Sequence, residues 1–200
     1  TFNLLARLLL FGLVYVGWLT YFGAYVEQDF GKGANTLSAL FLVAGVAELV
    51  ANNLAPWLLH RVAARNLIVT LTGVFAVPLV LANFAVFAHP WGLFLTASLV
   101  SAAAAMLYII CNALLLDARP ETRGRVMALA SAFGGCGAAL GALVGGLMLD
   151  LLGSYAAMYR ALGLLLPLGV LVLELVLVPG QRTTAAHTFR VPGDDAAQHR

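Results

Sequence analysis

The chain has 200 residues, of which 62% are hydrophobic and 10% are charged, and its formal net charge is +2. A soluble domain carries about 25% charged residues, so this composition excludes a soluble catalytic domain and predicts a membrane protein. The small net charge also gives no reason to expect nucleic acid as a partner, because a nucleic-acid-binding surface needs a strong basic surplus.

Six apolar stretches, each about 20 residues or longer, follow one another along the chain, which is the length that an α-helix needs to cross a bilayer. A lipid-exposed segment must satisfy its own backbone hydrogen bonds, so each stretch is predicted to be helical. We expect an all-α polytopic membrane protein with a six-helix domain over residues 1–180. The predicted spans are residues 4–26, 36–59, 67–88, 91–116, 126–152 and 157–178. Residues 181–200 are polar and are predicted to form a disordered cytoplasmic tail.

Basic residues indicate how the spans are oriented, because Lys and Arg are retained in cytoplasmic loops. Lys32 and Arg160 would lie on one side of the membrane. The other side would carry Arg7, Arg61, Arg65, Arg119, Arg123, Arg125, Arg182, Arg190 and Arg200. This asymmetry predicts that both termini are cytoplasmic, and the absence of organelle signals favours a plasma membrane of the bacterial inner type. The chain begins without Met, so we expect it to be part of a longer polypeptide.

Glu48 is the most unusual residue of the spans, because it lies near the middle of the second one. A carboxylate at the centre of a bilayer costs about 2.5 to 3.5 kcal/mol on insertion scales, so it should face a cavity, have a partner or hold a proton. One interpretation is an acid that couples transport to protons or recognises a cation. The other is a structural carboxyl that joins two helices by a hydrogen bond.

Other polar and aromatic residues share helical faces within the spans. Asn52 follows Glu48 by four residues, on the same face, where its amide can donate to the carboxylate or to a substrate. The alternative is a hydrogen bond that joins two helices. In the first span, Tyr15 and Trp18 begin an aromatic stripe that continues through Phe22 and Tyr25. Such a stripe lines a pocket or packs against neighbouring helices, and the sequence leaves both open. The fourth span carries a thin polar stripe of Ser101, Tyr108 and Asn112, which suits either a cavity wall or helix contacts.

The fifth span is rich in glycine, and Gly137, Gly141 and Gly145 recur at every fourth position. Small residues at this spacing allow two helix backbones to approach closely in a membrane. We therefore expect this face to pack tightly against another helix. The pattern carries no information about a substrate.

Residues for catalysis or metal binding are not apparent in the sequence. Cys111 and Cys136 fall inside predicted spans and are interpreted as apolar core residues. Glu174 lies near the end of the sixth span, where its side chain is expected to reach the interface. Ser98 and Ser101 have no His in any span to activate them, so we expect neither enzyme activity, nor a cofactor, nor a metal.

Two segments resemble the second half of the twelve-helix fold of the major facilitator superfamily, in particular its drug and sugar efflux members. The first is Ala-Glu-Leu at residues 47–49, followed by the loop His-Arg-Val-Ala-Ala-Arg at residues 60–65. The second is Pro-Glu-Thr-Arg-Gly-Arg at residues 120–125, which leads into the glycine-rich span. The cytoplasmic motif therefore includes His60, Arg61, Arg65, Arg123 and Arg125.

The resemblance implies a secondary transporter that exports small organic molecules, with protons as the coupling partner and Glu48 as the exchanging acid. In this family, the first and fourth helices of each half line the substrate path. This implies contacts for Tyr15, Trp18, Ser101, Tyr108 and Asn112. Alternating access needs two six-helix halves, so a second half or a second copy of this chain is expected as a partner. His60 and Ala63 stand where the family has Asp and Gly, and a non-transporting scaffold or degenerate paralogue is the alternative.

Overall fold

The computed structural model describes residues 2–81, 89–118 and 120–177. The predicted end of the third span at residues 82–88, Arg119 and the tail at residues 181–200 lie outside these ranges. Six long helices make up the described chain, which confirms the predicted all-α class. They are α1 (Phe2–Phe30), α2 (Ala34–Arg61), α3 (Ala64–Val80), α4 (Pro90–Ala118), α5 (Arg123–Leu152) and α6 (Tyr155–Leu177), and a short 3-10 helix at Pro120–Thr122 precedes α5.

Glycines in the left-handed conformation end two of these helices. Gly153 follows α5 with φ of 63°, and its N–H donates to the Leu149 carbonyl at 2.8 Å. Gly31 follows α1 with φ of 61°. A residue without Cβ adopts this conformation at little cost, so the chain reverses within a few residues. Both tight turns lie at the same end of the bundle, where α2 and α6 begin.

Five of the helices are long and apolar enough to cross a membrane, and α3 is a shorter apolar helix of 17 residues. Helices α1 and α4 form the centre, because they touch each other and together contact all four remaining helices. The starts of α1, α3 and α5 and the ends of α2, α4 and α6 lie at one end of the bundle. We call it the arginine-rich end, since it carries Arg61, Arg65, Arg123 and Arg125.

The helix contacts repeat between two triplets, α1 to α3 and α4 to α6. The most extensive contact joins α1 to α5, and its counterpart joins α4 to α2. The contact of α3 with α4 likewise corresponds to that of α6 with α1. Since α1 and α4 run in opposite directions, the two triplets are arranged as an inverted repeat, an architecture found in transporters.

Small residues make the two most extensive helix contacts possible, that of α1 with α5 and that of α2 with α4. On α5, Gly141 lies so close to α1 that an added Cβ would be 2.9 Å from both the Leu13 carbonyl carbon and the Gly17 nitrogen. A Cβ at Gly137 would be 2.9 Å from the Leu9 carbonyl carbon. On α2, the buried positions facing the bundle are Leu40, Ala44, Ala51 and Ala55. Along the α1–α5 seam, close packing of backbones therefore replaces interlocking of large side chains.

Helices α2 and α5 leave broad apolar faces uncovered in the described structure. On α2 the large exposed residues are Phe41, Leu42, Val43, Val46, Leu49, Val50, Leu54 and Trp57, and on α5 they are Leu129, Leu140, Leu143, Leu147, Leu151 and Leu152. Exposed apolar surface on this scale needs lipid or another protein to cover it.

Candidate functional site

Glu48 meets Tyr15 inside the bundle, where the Tyr15 hydroxyl donates a hydrogen bond to Oε1 of Glu48. The carboxylate reaches α1 because it lies on the alanine face of α2, between Ala44 and Ala51 at steps of four and three residues. Both residues are partly buried and lie near the middle of their helices. The acid is thus held at mid-depth by a neutral hydroxyl donor.

The Tyr15 ring is held in place by neighbours on two sides. Its centroid lies 5.9 Å from that of Trp18 and 6.5 Å from that of Phe75, which meets it edge-on. Ser101 of α4 is 1% exposed and lies near the Tyr15 hydroxyl. Tyr15, Glu48 and Ser101 form what we call the mid-helix cluster, which joins α1, α2 and α4.

The side chains of this cluster carry groups that can donate or accept a hydrogen bond. A carboxyl group accepts a proton or a cation, and the tyrosine and serine hydroxyls each act as donor or acceptor. Glu48 is half-buried, so part of its surface stays accessible. The sequence marked all three residues as candidates, and the structure shows that the Tyr15 hydroxyl bonds to Glu48 and lies near Ser101.

Trp18 does not lie at the uncovered face of α2 but packs in the core. It is 1% exposed, and its ring centroid is 4.8 Å from that of Phe22. Tyr25 lies further along and packs against Tyr159, with centroids 4.9 Å apart. These aromatic rings line a small enclosed cavity with Leu79, Leu93 and Thr96. Of the two interpretations of the stripe, packing accounts for Trp18, Phe22 and Tyr25, whereas Tyr15 points to Glu48.

The remaining substrate-path candidates do not join the mid-helix cluster. Asn52 is exposed on α2. Tyr108 is 47% exposed, and its ring lies 3.9 Å from where a Cβ of Gly134 would be. Asn112 is 8% exposed and donates from Nδ2 to the Tyr108 carbonyl at 2.9 Å, whereas its Oδ1 has no partner among the described residues. These three residues provide polar groups between mid-depth and the arginine-rich end.

A second polar cluster, which sequence reasoning missed, lies at the arginine-rich end. Arg7 of α1 has only 5% of its side chain exposed, and its Nη2 pairs with Oε1 of Glu174 on α6. The Arg7 Nε also donates to Asn3 at 2.6 Å, and Arg65 Nε lies 3.5 Å from the other Glu174 oxygen. Glu174 therefore joins α1, α3 and α6 by ion pairs, which the expectation of a side chain reaching the interface did not include. The sequence offered one signal for this cluster, since Arg7 and Glu174 carry opposite charges and both lie within predicted apolar spans.

The two cysteines differ in exposure. Cys111 is fully buried on α4, as expected of a core residue, whereas Cys136 is exposed on α5, so its interpretation as a core residue is wrong. Among the described residues no group of three His, Cys, Asp or Glu side chains has a metal-binding arrangement.

The sequence matches the family model of the Major Facilitator Superfamily over residues 4–192. The chain belongs to the major facilitator superfamily. Comparison with curated proteins and with solved structures gave no match. As a superfamily member with apolar spanning helices, the protein is an integral membrane protein of a transporter family. Its six helices correspond to one half of the twelve-helix fold.

In this superfamily chain, the residues of the loop motif are exposed at the arginine-rich end. His60, Arg61, Arg123 and Arg125 are exposed, and the Arg61 guanidinium lies 4.4 Å from the centroid of the Trp57 ring. Arg65 is also exposed, at 75% of its side chain, although it reaches Glu174. The motif is therefore accessible to a partner on this side, except where Arg65 is drawn toward α6.

Proposed function

We propose that this superfamily member is a proton-coupled secondary transporter that exports small organic molecules, with Glu48 as the coupling acid. The observation that carries the proposal is the intramembrane carboxylate at mid-depth, hydrogen-bonded to Tyr15 and still partly accessible. A charged carboxylate at this depth is costly, so binding a proton or a cationic group there changes the energy of the site substantially.

The polar residues between Glu48 and the arginine-rich end supply a path for the exported compound. Tyr108 is exposed beside the glycine face of α5, and the Oδ1 of Asn112 has no hydrogen-bond partner among the described residues, so it is an acceptor that a ligand reaching this part of the bundle would satisfy. Asn52 adds an exposed amide from α2. Trp18 contributes to this path by fixing the Tyr15 ring rather than by direct contact.

A second six-helix half is proposed to cover the uncovered faces of α2 and α5. Asn52 and Tyr108 are exposed polar residues at membrane depth, where lipid offers them no hydrogen-bond partner. An opposing protein wall would enclose them and form the cavity needed for alternating access. A native polypeptide near twice the 21.1 kDa of this chain would supply that half, and one near 21.1 kDa would require a second copy. The basic residues orient both termini to the cytoplasm, in a membrane of the bacterial inner type.

Transport by the complete protein in everted membrane vesicles tests the proposal. A panel of small drugs and sugars is added to acidified vesicles, and compound-induced proton efflux is measured by fluorescence. Wild type is expected to respond to at least one compound, and Glu48→Gln is expected to abolish that response. Glu27→Gln serves as the control, because Glu27 is exposed at the end of α1.

Two outcomes would overturn parts of the proposal. Export that persists both in Glu48→Gln and after addition of an uncoupler would show that transport is not coupled to protons. If no compound elicits a response, His60→Asp separates the remaining interpretations. Gained transport would indicate a degenerate motif, and no change would indicate a non-transporting scaffold.

A further inference from the structure

An open cleft lies at the end of the bundle opposite the arginine-rich end, between the last turn of α1 and the turn that joins α5 to α6. Its volume is about 360 Å³, which is within the range of clefts that hold small organic ligands. Four of the six residues around it carry a carboxylate, an amide or a hydroxyl group. The cleft is lined by Gln28, Asp29, Leu149, Gly153, Ser154 and Tyr155.

The ends of α1 and α5 give the cleft a negative backbone potential. At the end of α1, the Lys32 N–H donates to the Val26 carbonyl at 3.3 Å rather than to the Gln28 carbonyl, and α5 ends at Gly153. The carbonyl groups at a helix C-terminus carry a partial negative charge equivalent to about half an elementary charge. The start of α6 at Tyr155 contributes the opposite sign, so the contribution of one helix C-terminus remains.

Asp29 supplies a full negative charge to the cleft. Its side chain is exposed. The ion pairs among the described residues are both made by Glu174 at the other end of the bundle, so neither Lys32 nor Arg160, the basic residues at this end, forms one with Asp29. A carboxylate without a counter-charge in an open polar cleft is a partner for a cation that arrives from solution.

The ring of Tyr155 makes an organic cation a better fit than a metal ion. It packs against the ring of Tyr25 with centroids 6.3 Å apart, so the core of the bundle holds it in place. An aromatic ring attracts an ammonium group and packs against its carbon substituents. A hard metal ion needs about six oxygen ligands, whereas the described residues contain no group of three Asp, Glu, His or Cys side chains that could hold one.

We propose that this cleft binds an organic ammonium group, with Asp29 as its counter-ion and Tyr155 as its aromatic contact. Gln28 and Ser154 are hydrogen-bond partners for polar substituents of the ligand. A free amine and the headgroup of an aminophospholipid share this chemistry, and the experiment below separates them. The inference is independent of the proposed proton coupling, because Glu48 lies at mid-depth and takes no part in the cleft.

Equilibrium binding of radiolabelled choline to the complete protein in dodecyl maltoside tests this proposal, because this detergent carries no ammonium group. Wild type should bind choline saturably, and the uncharged isostere dimethylbutanol, in which carbon replaces nitrogen, should not compete. Asp29→Asn should weaken binding by about tenfold or more, as expected for loss of a charged partner. Glu27→Gln is the matched control and should bind like wild type, because Glu27 is an exposed carboxylate at the same end of α1 that does not line the cleft.

Two further comparisons define the contacts and the source of the ammonium group. Tyr155→Phe keeps the ring and should bind like wild type, whereas Tyr155→Ala should weaken binding by about two- to fivefold, the size of an exposed cation–π contact. Phosphatidylethanolamine added to the micelles identifies the occupant. Competition with choline in wild type would indicate a lipid headgroup, and undiminished choline binding would indicate a free amine.

Several results would overturn the proposal. These are the absence of saturable choline binding, competition by dimethylbutanol, and equal affinities in Asp29→Asn and Glu27→Gln. Choline binding that is lost in Glu48→Gln but intact in Asp29→Asn would assign the ammonium group to the mid-helix cluster instead. Failure of the proposed function has a different signature, because compound-induced proton efflux depends on Glu48 and is measured without reference to choline binding at Asp29.

Discussion

Replacing Gly141 with Ala should separate α1 from α5 and destabilise the bundle. The added methyl group would lie 2.9 Å from the Leu13 carbonyl carbon and 2.9 Å from the Gly17 nitrogen, and the Leu13 carbonyl oxygen is also in its way. Carbon atoms pack at about 3.5 to 4.0 Å. Because every obstructing atom belongs to the backbone of α1, no rotamer change relieves the overlap, and the two helices must move apart.

The loss in free energy of unfolding depends on how much of the contact between α1 and α5 is lost. Overpacking a close-packed interior costs about 1 to 3 kcal/mol when side chains can adjust, so an overlap between backbones belongs at the upper end of this range. A shift of about 1 Å would loosen the whole α1–α5 seam, which is the most extensive helix contact of the bundle. We expect a lower thermal midpoint and a lower yield of purified protein, and Gly141→Leu should prevent accumulation of the folded protein.

Thermal unfolding in detergent, followed by thiol labelling of the buried Cys111, measures this effect. Gly135→Ala is the matched control, because it lies on the same helix with no atom within 4 Å of the added group. The control should be neutral or slightly stabilising, since alanine favours helix over glycine by about 0.5 to 1 kcal/mol. Equal midpoints for the two variants would refute the claim that α1 and α5 touch through their backbones. Gly145→Ala should cost less than Gly141→Ala, because it meets the movable ring of Tyr21.

Three further predictions concern side-chain contacts. Glu174→Gln should destabilise the protein by about 3 to 5 kcal/mol, because Arg7 is left buried without its counter-charge. Thermal unfolding should show that stability is recovered in the double variant Arg7→Met/Glu174→Met. An unchanged thermal midpoint in Glu174→Gln would contradict the ion pair. Tyr21→Phe removes the hydrogen bond to the Ala142 carbonyl at 2.9 Å and should cost about 1 kcal/mol by the same assay, so a neutral result would show that this bond is not formed. In folded protein, a maleimide should leave Cys111 unmodified, because it is fully buried on α4, and should modify it only after unfolding, as peptide masses would show; modification in the folded state would mean that α4 is not buried.

The sequence determined the class of the protein and the residues that set it apart. Apolar length predicts six helices because each span must satisfy its backbone within itself. Glu48 is identifiable because few carboxylates occur at that depth, and Gly137, Gly141 and Gly145 because small residues at this spacing permit close approach. All of these signals are local, since they depend on residues within one helix.

Tertiary structure decided which of these residues meet. Helical periodicity shows that Tyr15 and Trp18 lie near one face, but only the packing of α1 turns Tyr15 to Glu48 and Trp18 to the core. Glu174 was expected to reach the interface, yet it pairs with Arg7, which is 167 residues away in the chain. Periodicity describes one helix, whereas a partner is chosen by how several helices pack, and that choice depends on the shapes of all their contacting faces at once.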